Sequence, residues 1–327
     1  MSERILVRAP NWIGDAVVSL GFLSMLKETR PGQVSVLAHA RVAELFRNHP
    51  AVDELLVLQK DGSILDTVAA IRQKDFHSCY LLPLSFSSAA IVFLAGIPQR
   101  IGYSAEFRGW MLTRRLRYRK RDYRSRHLLL GYARLLGEGT ELKDPQIRLS
   151  PQESDWADGW LRERGIGGRI VGFCPGATYG PAKIWPRERW ETLGRDLAAG
   201  DFRILLFGSA DEAELCSELE AAIGPAAVSF AGRSSLRQSA ALLSRCAYAV
   251  CNDTGVMHLS AAVGTRTIGI FGSTNPVWTR PWGEGHTVIY SAEPCSPCYG
   301  RRCRFGHYRC LETISAAVVR EAIDKEG

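Results

Sequence analysis

The sequence predicts an α/β chain of two doubly wound domains, each a parallel sheet covered by helices, and three observations carry that prediction. The 327 residues exceed the comfortable size of one core, so two domains of about 150 residues each are expected. Short apolar runs alternate with helical patterns through most of the chain, the βαβ signature of parallel strands buried on both faces. Between residues 142 and 169 the pattern breaks: Asp144-Pro145 and Ser150-Pro151 punctuate it, a charged helix over residues 152–164 follows, and Gly165-Ile166-Gly167-Gly168 ends it.

Taken in order, the strands of the first half read at residues 5–9, 34–38, 55–58 and 79–82, and those of the second at 170–174, 203–207, 247–251 and 267–271. The domains are set at residues 1–155 and 156–311, with residues 312–327 an amphipathic helix free to cap either domain and assigned to the first. Ligands of open α/β sheets bind beyond the carboxyl ends of the strands, so the two domains are expected to face each other across a cleft.

Hydrophobic residues at 46% and charged ones at 23% are ordinary for a soluble globular enzyme. Arg4, Arg8 and Asp15 interrupt the first apolar residues, which argues against a secretory signal. The longest apolar run, residues 89–97, falls well short of the roughly 20 residues that span a bilayer. A cytoplasmic protein is expected. The net charge of +7 implies an acidic partner or surface, and it is concentrated: nine Lys and Arg lie between residues 108 and 126, Arg115, Arg117 and Arg121 among them. Such a run suits phosphates or an anionic membrane face, and equally a solvated hairpin and helix start.

Two strand ends carry the signature of phosphate binding. Val250-Cys251-Asn252-Asp253-Thr254-Gly255-Val256-Met257-His258 passes from strand through a polar turn into a helix, leaving unpaired N–H groups and the positive end of a dipole facing outward. Upstream, residues 169–174 read as a buried strand followed by Pro175-Gly176-Ala177-Thr178-Tyr179-Gly180-Pro181-Ala182-Lys183. Gly176 and Gly180 permit close backbone approach, Thr178 offers a hydroxyl and Lys183 a mobile cation. A third strand end, Gly208-Ser209-Ala210-Asp211-Glu212, suits an acidic contact to ribose hydroxyls, by Asp211, Glu212 or Glu214. His258 either bonds a phosphate oxygen or packs. The chain lacks a G-x-G-x-x-G after its first strand, and residues 176–183 lack the G-K-[ST] ending of a P-loop, which disfavours a dehydrogenase or an ATPase.

The first strand ends in Asn11-Trp12-Ile13-Gly14-Asp15, which puts Asp15 at the start of a helix where the dipole favours its anion. It reads as a catalytic carboxylate or as an ordinary helix-starting one. Trp12, Trp185, Trp278 and Trp282 lie in or beside loops where aromatic faces could stack on sugars or close a cleft, with core packing the favoured role for Trp185 and Trp190.

Of nine cysteines, Cys79, Cys174, Cys216, Cys246 and Cys251 sit in apolar surroundings as small hydrophobes. Cys295, Cys298, Cys303 and Cys310 cluster within sixteen residues, a spacing that admits a structural zinc, two disulfides or free thiols. A cytoplasmic address argues against the disulfides.

Five ordered motifs carry a family resemblance: Asn11-Trp12-Ile13-Gly14-Asp15, Phe173-Cys174-Pro175-Gly176-Ala177, Pro181-Ala182-Lys183-Ile184-Trp185-Pro186, Leu206-Phe207-Gly208-Ser209 and Asn252-Asp253-Thr254-Gly255-Val256-Met257-His258. Together they resemble the ADP-heptose:lipopolysaccharide heptosyltransferases of glycosyltransferase family 9, the type II branch in particular. The resemblance implies a GT-B fold whose C-terminal domain holds an ADP-sugar and whose N-terminal domain receives a growing lipopolysaccharide inner core. It also implies inversion, with L-glycero-D-manno-heptose passing from a β-linked diphosphate to an α-linkage, no metal, and no cofactor beyond the substrate ADP-heptose.

The residues suit that chemistry on their own account. An inverting displacement needs a base for the acceptor hydroxyl and donors for the departing diphosphate. Asp15 is the candidate base. Lys183, Thr178 and the N–H groups of Thr254 and Gly255 are candidates for the leaving ADP, with Asp253 capping and orienting the turn because a bare carboxylate beside diphosphate is repelled. Asn11, Trp12, Arg115, Arg117 and Arg121 fall on the acceptor side, where the acceptor's lipid would stay in the inner membrane. Two alternatives stay open: a related glycosyltransferase with another donor or acceptor, and a basic nucleic-acid-binding protein, for which no recognised module is present.

Overall fold

A computed structural model describes residues 3–59 and 62–325. The chain divides into two units, Met1–Arg148 and Leu149–Gly327. The first holds six strands, β1 (Glu3–Arg8), β2 (Gly32–His39), β3 (Glu54–Leu58), β4 (Ser78–Leu81), β5 (Gln99–Tyr103) and β6 (Arg114–Leu116). Their spatial order is β3-β2-β1-β4-β5-β6, every pair parallel. The central strand is buried on both faces: Val7 lies between Val36 and Tyr80 in the ladder, which is why the run reads as continuous rather than alternating.

The second unit repeats the plan with β7 (Arg169–Cys174), β8 (Phe202–Leu206), β9 (Ala227–Ser229), β10 (Tyr248–Asn252), β11 (Arg266–Phe271) and β12 (Thr287–Tyr290), all parallel. Its order, β12-β11-β10-β7-β8-β9, is the order of the first sheet when counted from its own first strand. Each sheet therefore reverses direction once, between β1 and β4 in the first unit and between β7 and β10 in the second. Four strands were not read from the sequence, β5, β6, β9 and β12, all lateral to the buried centre.

Two boundaries differ from the sequence reading. The helix Pro151–Glu163 lies wholly in the second unit, whereas the reading at residue 155 cuts through it. Pro151 is not a loop residue but the first helical residue, preceded by a Ser150–Glu153 capping box, and the helix is tied onward by Glu153–Arg237 at 2.6 Å and Asp158–Arg245 at 2.6 Å. The closing helix Ala316–Asp324 packs on the helix Arg187–Ala199 of the second unit instead of returning to the first domain. Its apolar positions Ala316, Val319 and Ile323 share one face and join Leu311, Ile314, Trp185 and Trp190 in a single core, where Trp185 Nε1 donates to the Ile314 carbonyl at 2.9 Å. Trp185 and Trp190 are fully buried and meet edge to face at 5.1 Å. Among the described residues no helix is long and apolar enough to cross a membrane, and the apolar run near residue 90 forms the short helix Phe86–Leu94.

Candidate active site

At a switch point two neighbouring loops diverge from the carboxyl ends of adjacent strands and leave a crevice. In the second unit the loop after β7 runs to the short turn Pro181–Lys183, and β10 passes through Asp253 and Thr254 into the helix Gly255–Ala262. Lys183 and Asp253 meet there, Nζ lying 2.6 Å from Asp253 Oδ2 and donating at 3.3 Å to the Asp253 carbonyl. Both are nearly enclosed, with 12% and 4% of their side-chain surface exposed. Thr274, just beyond β11, donates to the same carboxylate at 2.5 Å. Fully buried Asn252 ties the loops together, Nδ2 donating to the Pro175 carbonyl at 2.6 Å and Oδ1 accepting from the Trp185 N–H at 3.1 Å.

Three features suit this crevice to an anion. An ammonium carries three donors, and the two acceptors on Asp253 leave one for a ligand oxygen. The helix Gly255–Ala262 starts at Thr254 with no side-chain cap bond, so its first N–H groups and the positive end of its dipole are left for a ligand. Thr254 Oγ1 and Ser273 Oγ are buried without a hydrogen-bond partner among the described residues, an arrangement that a bound acceptor oxygen would relieve. Asp253 thus does a different job from the one expected: Thr254 is the N-cap residue, and the Asp253 carboxylate holds Lys183 and Thr274.

The loop after β7 is fixed from the side by the cysteine-bearing segment. Gly180 has φ +145°, and a Cβ there would stand 2.6 Å from the Arg301 carbonyl oxygen. Tyr179 Oη donates to the Tyr299 carbonyl at 2.7 Å, the Ala182 N–H donates to that of Arg301 at 3.1 Å, and the Tyr179 ring carries Lys183 at 4.9 Å and Arg301 at 5.4 Å. Gly180→Ala is expected to lose about 1–3 kcal/mol of stability, because neither the backbone angle nor the Arg301 carbonyl accepts a side chain. Thermal unfolding checks this, and a variant with unchanged stability would refute it.

All nine cysteines are free thiols. Among the described residues no disulfide joins Cys295, Cys298, Cys303 and Cys310, and no group of three or more His, Cys, Asp or Glu is arranged to hold a metal ion. Burial, with the three other thiols of the cluster adding to it, pushes Cys310 up to about 11.

Among the acidic candidates after β8, Glu212 accepts from the Ser209 N–H at 2.7 Å and hydroxyl at 2.9 Å, and its carboxyl group lies over Gly176, where a Cβ would meet it at 2.1 Å. It therefore sits between the loops after β7 and β8, while Asp211 and Glu214 are exposed. Gly208 lets the chain pass Glu212 and Cys216 closely. Thr178 is exposed at the loop tip, and His258 is buried one turn into its helix.

In the first unit the loop after β1 leads into the helix Ile13–Thr29, and Asp15 is half-buried in its first turn. Buried Arg8 fixes that loop, Nη2 donating to Asn11 Oδ1 at 2.8 Å and Nη1 to the Leu37 carbonyl at 3.2 Å. Burial draws its guanidinium down to about 10. Tyr123 and Tyr132 are raised well above the usual phenol range, first by burial, and the Asp15 charge adds to both shifts. Tyr123 also lines a cavity of about 270 Å³ with Tyr103, Asp122 and the guanidinium-bearing Arg117, Arg119, Arg126 and Arg134. Of the expected acceptor arginines only Arg117 lines it. Arg115 lies on edge strand β6 and Arg121 is exposed on the helix Lys120–Arg124. Arg134 lies outside the basic run and was missed; it joins the cavity because it follows the helix Leu128–Ala133.

Two like parallel sheets, each covered by helices, make this a two-unit α/β protein, with the carboxylate of Asp15 after the first strand of one sheet and the Lys183–Asp253 crevice at the switch point of the other. The chain belongs to glycosyltransferase family 9 (heptosyltransferase), whose profile matches residues 64–309. It is similar to lipopolysaccharide heptosyltransferase 2 of Escherichia coli K12, 30% identical over 88% of this chain and 87% of that one. Lipooligosaccharide heptosyltransferase 2 of Haemophilus influenzae is 28% identical over 87% of this chain and 88% of its own. The solved structure of E. coli ADP-heptose lipopolysaccharide heptosyltransferase II superposes with a TM-score of 0.86 at 28% identity, covering 99% of this chain and 98% of that one. The protein is a glycosyltransferase of the GT-B type.

Proposed function

We propose that this enzyme moves L-glycero-D-manno-heptose from ADP-heptose to the inner core of lipopolysaccharide, with inversion at the anomeric carbon. The observation that carries the donor half is the enclosed Lys183–Asp253 pair beside the uncapped helix start and the unpartnered Thr254 hydroxyl. The ADP diphosphate takes the remaining Lys183 donor and the N–H groups of Thr254 and Gly255, with Thr178 and His258 as further contacts, and Glu212 reaches the ribose. As the acceptor oxygen bonds to the anomeric carbon and the bond to the β-phosphate oxygen breaks, Asp15 takes the hydroxyl proton. Lys183 and the helix start balance the charge gathering on ADP, and no metal is assigned a part.

Asn11, Trp12 and the cavity of Arg117, Arg119, Arg126 and Arg134 receive the anionic core, while the enzyme works at the cytoplasmic face of the inner membrane. The lipopolysaccharide heptosyltransferases 2 among the relatives support this acceptor. The test is mass spectrometry of the product formed from ADP-heptose and a defined core acceptor, with ADP, UDP and GDP titrated in parallel. A gain of one heptose and preference for ADP are expected; tighter UDP or GDP binding, or no heptosyl product, would overturn the reading.

A further inference from the structure

The first unit carries an apolar surface that neither sheet nor core explains. In the helix Phe86–Leu94, Phe86, Phe93 and Leu94 are all exposed, and spacings of seven and eight residues put them on one face. The short turn Arg108–Met111 packs along that helix and adds Trp110, 64% exposed and edge-on to Phe93 at 5.2 Å. Just before the turn Phe107 is 96% exposed at φ +58°, a conformation that bulky side chains rarely adopt.

The turn is held in this pose. Arg108 is fully buried, its Nε donating to the Tyr103 carbonyl at 2.9 Å and its Nη1 to Ser88 Oγ at 2.9 Å and the Ser85 carbonyl at 3.1 Å. The Phe86 N–H donates to Glu106 Oε2 at 3.1 Å. These bonds clamp Glu106 and Arg108, on either side of Phe107, to the start of the helix, so the outward phenylalanine is fixed by tertiary contacts.

Cations rim the patch. The Arg100 guanidinium lies 5.3 Å from the Phe93 ring centroid, Arg72 Nη2 donates to the Leu94 carbonyl at 2.7 Å, and Arg115 Nη1 comes within 4.0 Å of the place where a Gly109 Cβ would stand. Exposed aromatics beside arginines match a bilayer interface bearing acidic headgroups: rings enter the headgroup layer, and the cations answer its charge. Apolar insertion and a basic rim together supply the two signals that lasting peripheral binding needs.

We propose that Phe86, Phe93, Leu94, Phe107 and Trp110, rimmed by Arg72, Arg100 and Arg115, form the surface by which this chain docks on an anionic lipid bilayer. This deepens the reading of a membrane-borne acceptor. The assay needs neither donor nor acceptor, so the two readings fail separately.

The test sediments full-length protein with phosphatidylethanolamine vesicles with and without phosphatidylglycerol, for wild type and for Phe107→Ser with Trp110→Ser. Binding that depends on phosphatidylglycerol and declines with salt is expected, with about a tenfold or greater loss in the double variant. Heptosyl transfer to a delipidated, water-soluble acceptor should be unchanged. Trp110→Phe should keep vesicle binding, which separates lost insertion from lost folding. Wild-type indifference to phosphatidylglycerol, full binding by the serine variant, or loss of binding in Trp110→Phe would overturn the proposal. So would an oligomer that the serine substitutions dissociate while wild type ignores vesicles, since the patch would then be a contact between copies.

Discussion

Asp15→Asn is expected to lower turnover by about a hundred- to ten-thousand-fold while leaving ADP affinity unchanged. The substitution keeps the shape of the side chain and removes its capacity to take a proton, and it lies in the first unit, whereas the Lys183–Asp253 crevice belongs to the second. Stability should fall by no more than about 1 kcal/mol, the worth of one carboxylate in a first helical turn. The acidic limb of the kcat/KM profile should disappear with the carboxylate, whereas a residue that only shaped the loop would leave that limb in place. Steady-state ADP release across pH, with calorimetric ADP titration, separates these outcomes. Turnover within tenfold of wild type would assign the proton to another group.

Arg8 explains why Asp15 has a defined position. A guanidinium buried at the end of β1 bonds the Asn11 side chain and the Leu37 carbonyl, so the loop entering the helix is held on both sides. The sequence shows Arg8 as an interruption in an apolar run, which counted against a signal peptide but said nothing of a clamp.

That contrast recurs. Seven of the eight strands read from the sequence were legible because burial on both faces leaves apolar runs such as Ile170–Cys174 that punctuation isolates, while β3, half-buried at an edge, was legible from its run of leucine and valine. β6 was not, since Arg114-Arg115-Leu116 pairs on one side only and carries charge where an edge strand discourages further pairing. The turn after β10 was legible as a strand passing into a helix, a local pattern. Its pairing was not: Lys183 reaches Asp253 across 70 residues, Thr274 arrives from beyond β11, and the Arg301 carbonyl fixes Gly180. These follow from which loops the switch point brings together. Arg108 counted as one charge in a basic run, yet it is buried and works as a staple.

The Lys183–Asp253 pair yields the prediction that separates structure from chemistry. Lys183→Ala leaves a carboxylate 4% exposed with Thr274 as its remaining side-chain donor, and breaking a buried pair from one side costs about 3–5 kcal/mol. The melting temperature should fall on the order of 10 °C. Lys183→Met combined with Asp253→Asn removes both charges, so most of that stability should return. Turnover should not: without the ammonium the departing diphosphate loses a preorganised donor, worth about a hundred- to a thousandfold in rate. The Lys183→Ala variant should also lose donor affinity, because ground state and transition state both carry the diphosphate. Thermal unfolding and single-turnover rates on both variants decide the matter. If the double variant regained turnover along with stability, Lys183 would be a structural cation and the leaving-group role would pass to the helix start at Thr254.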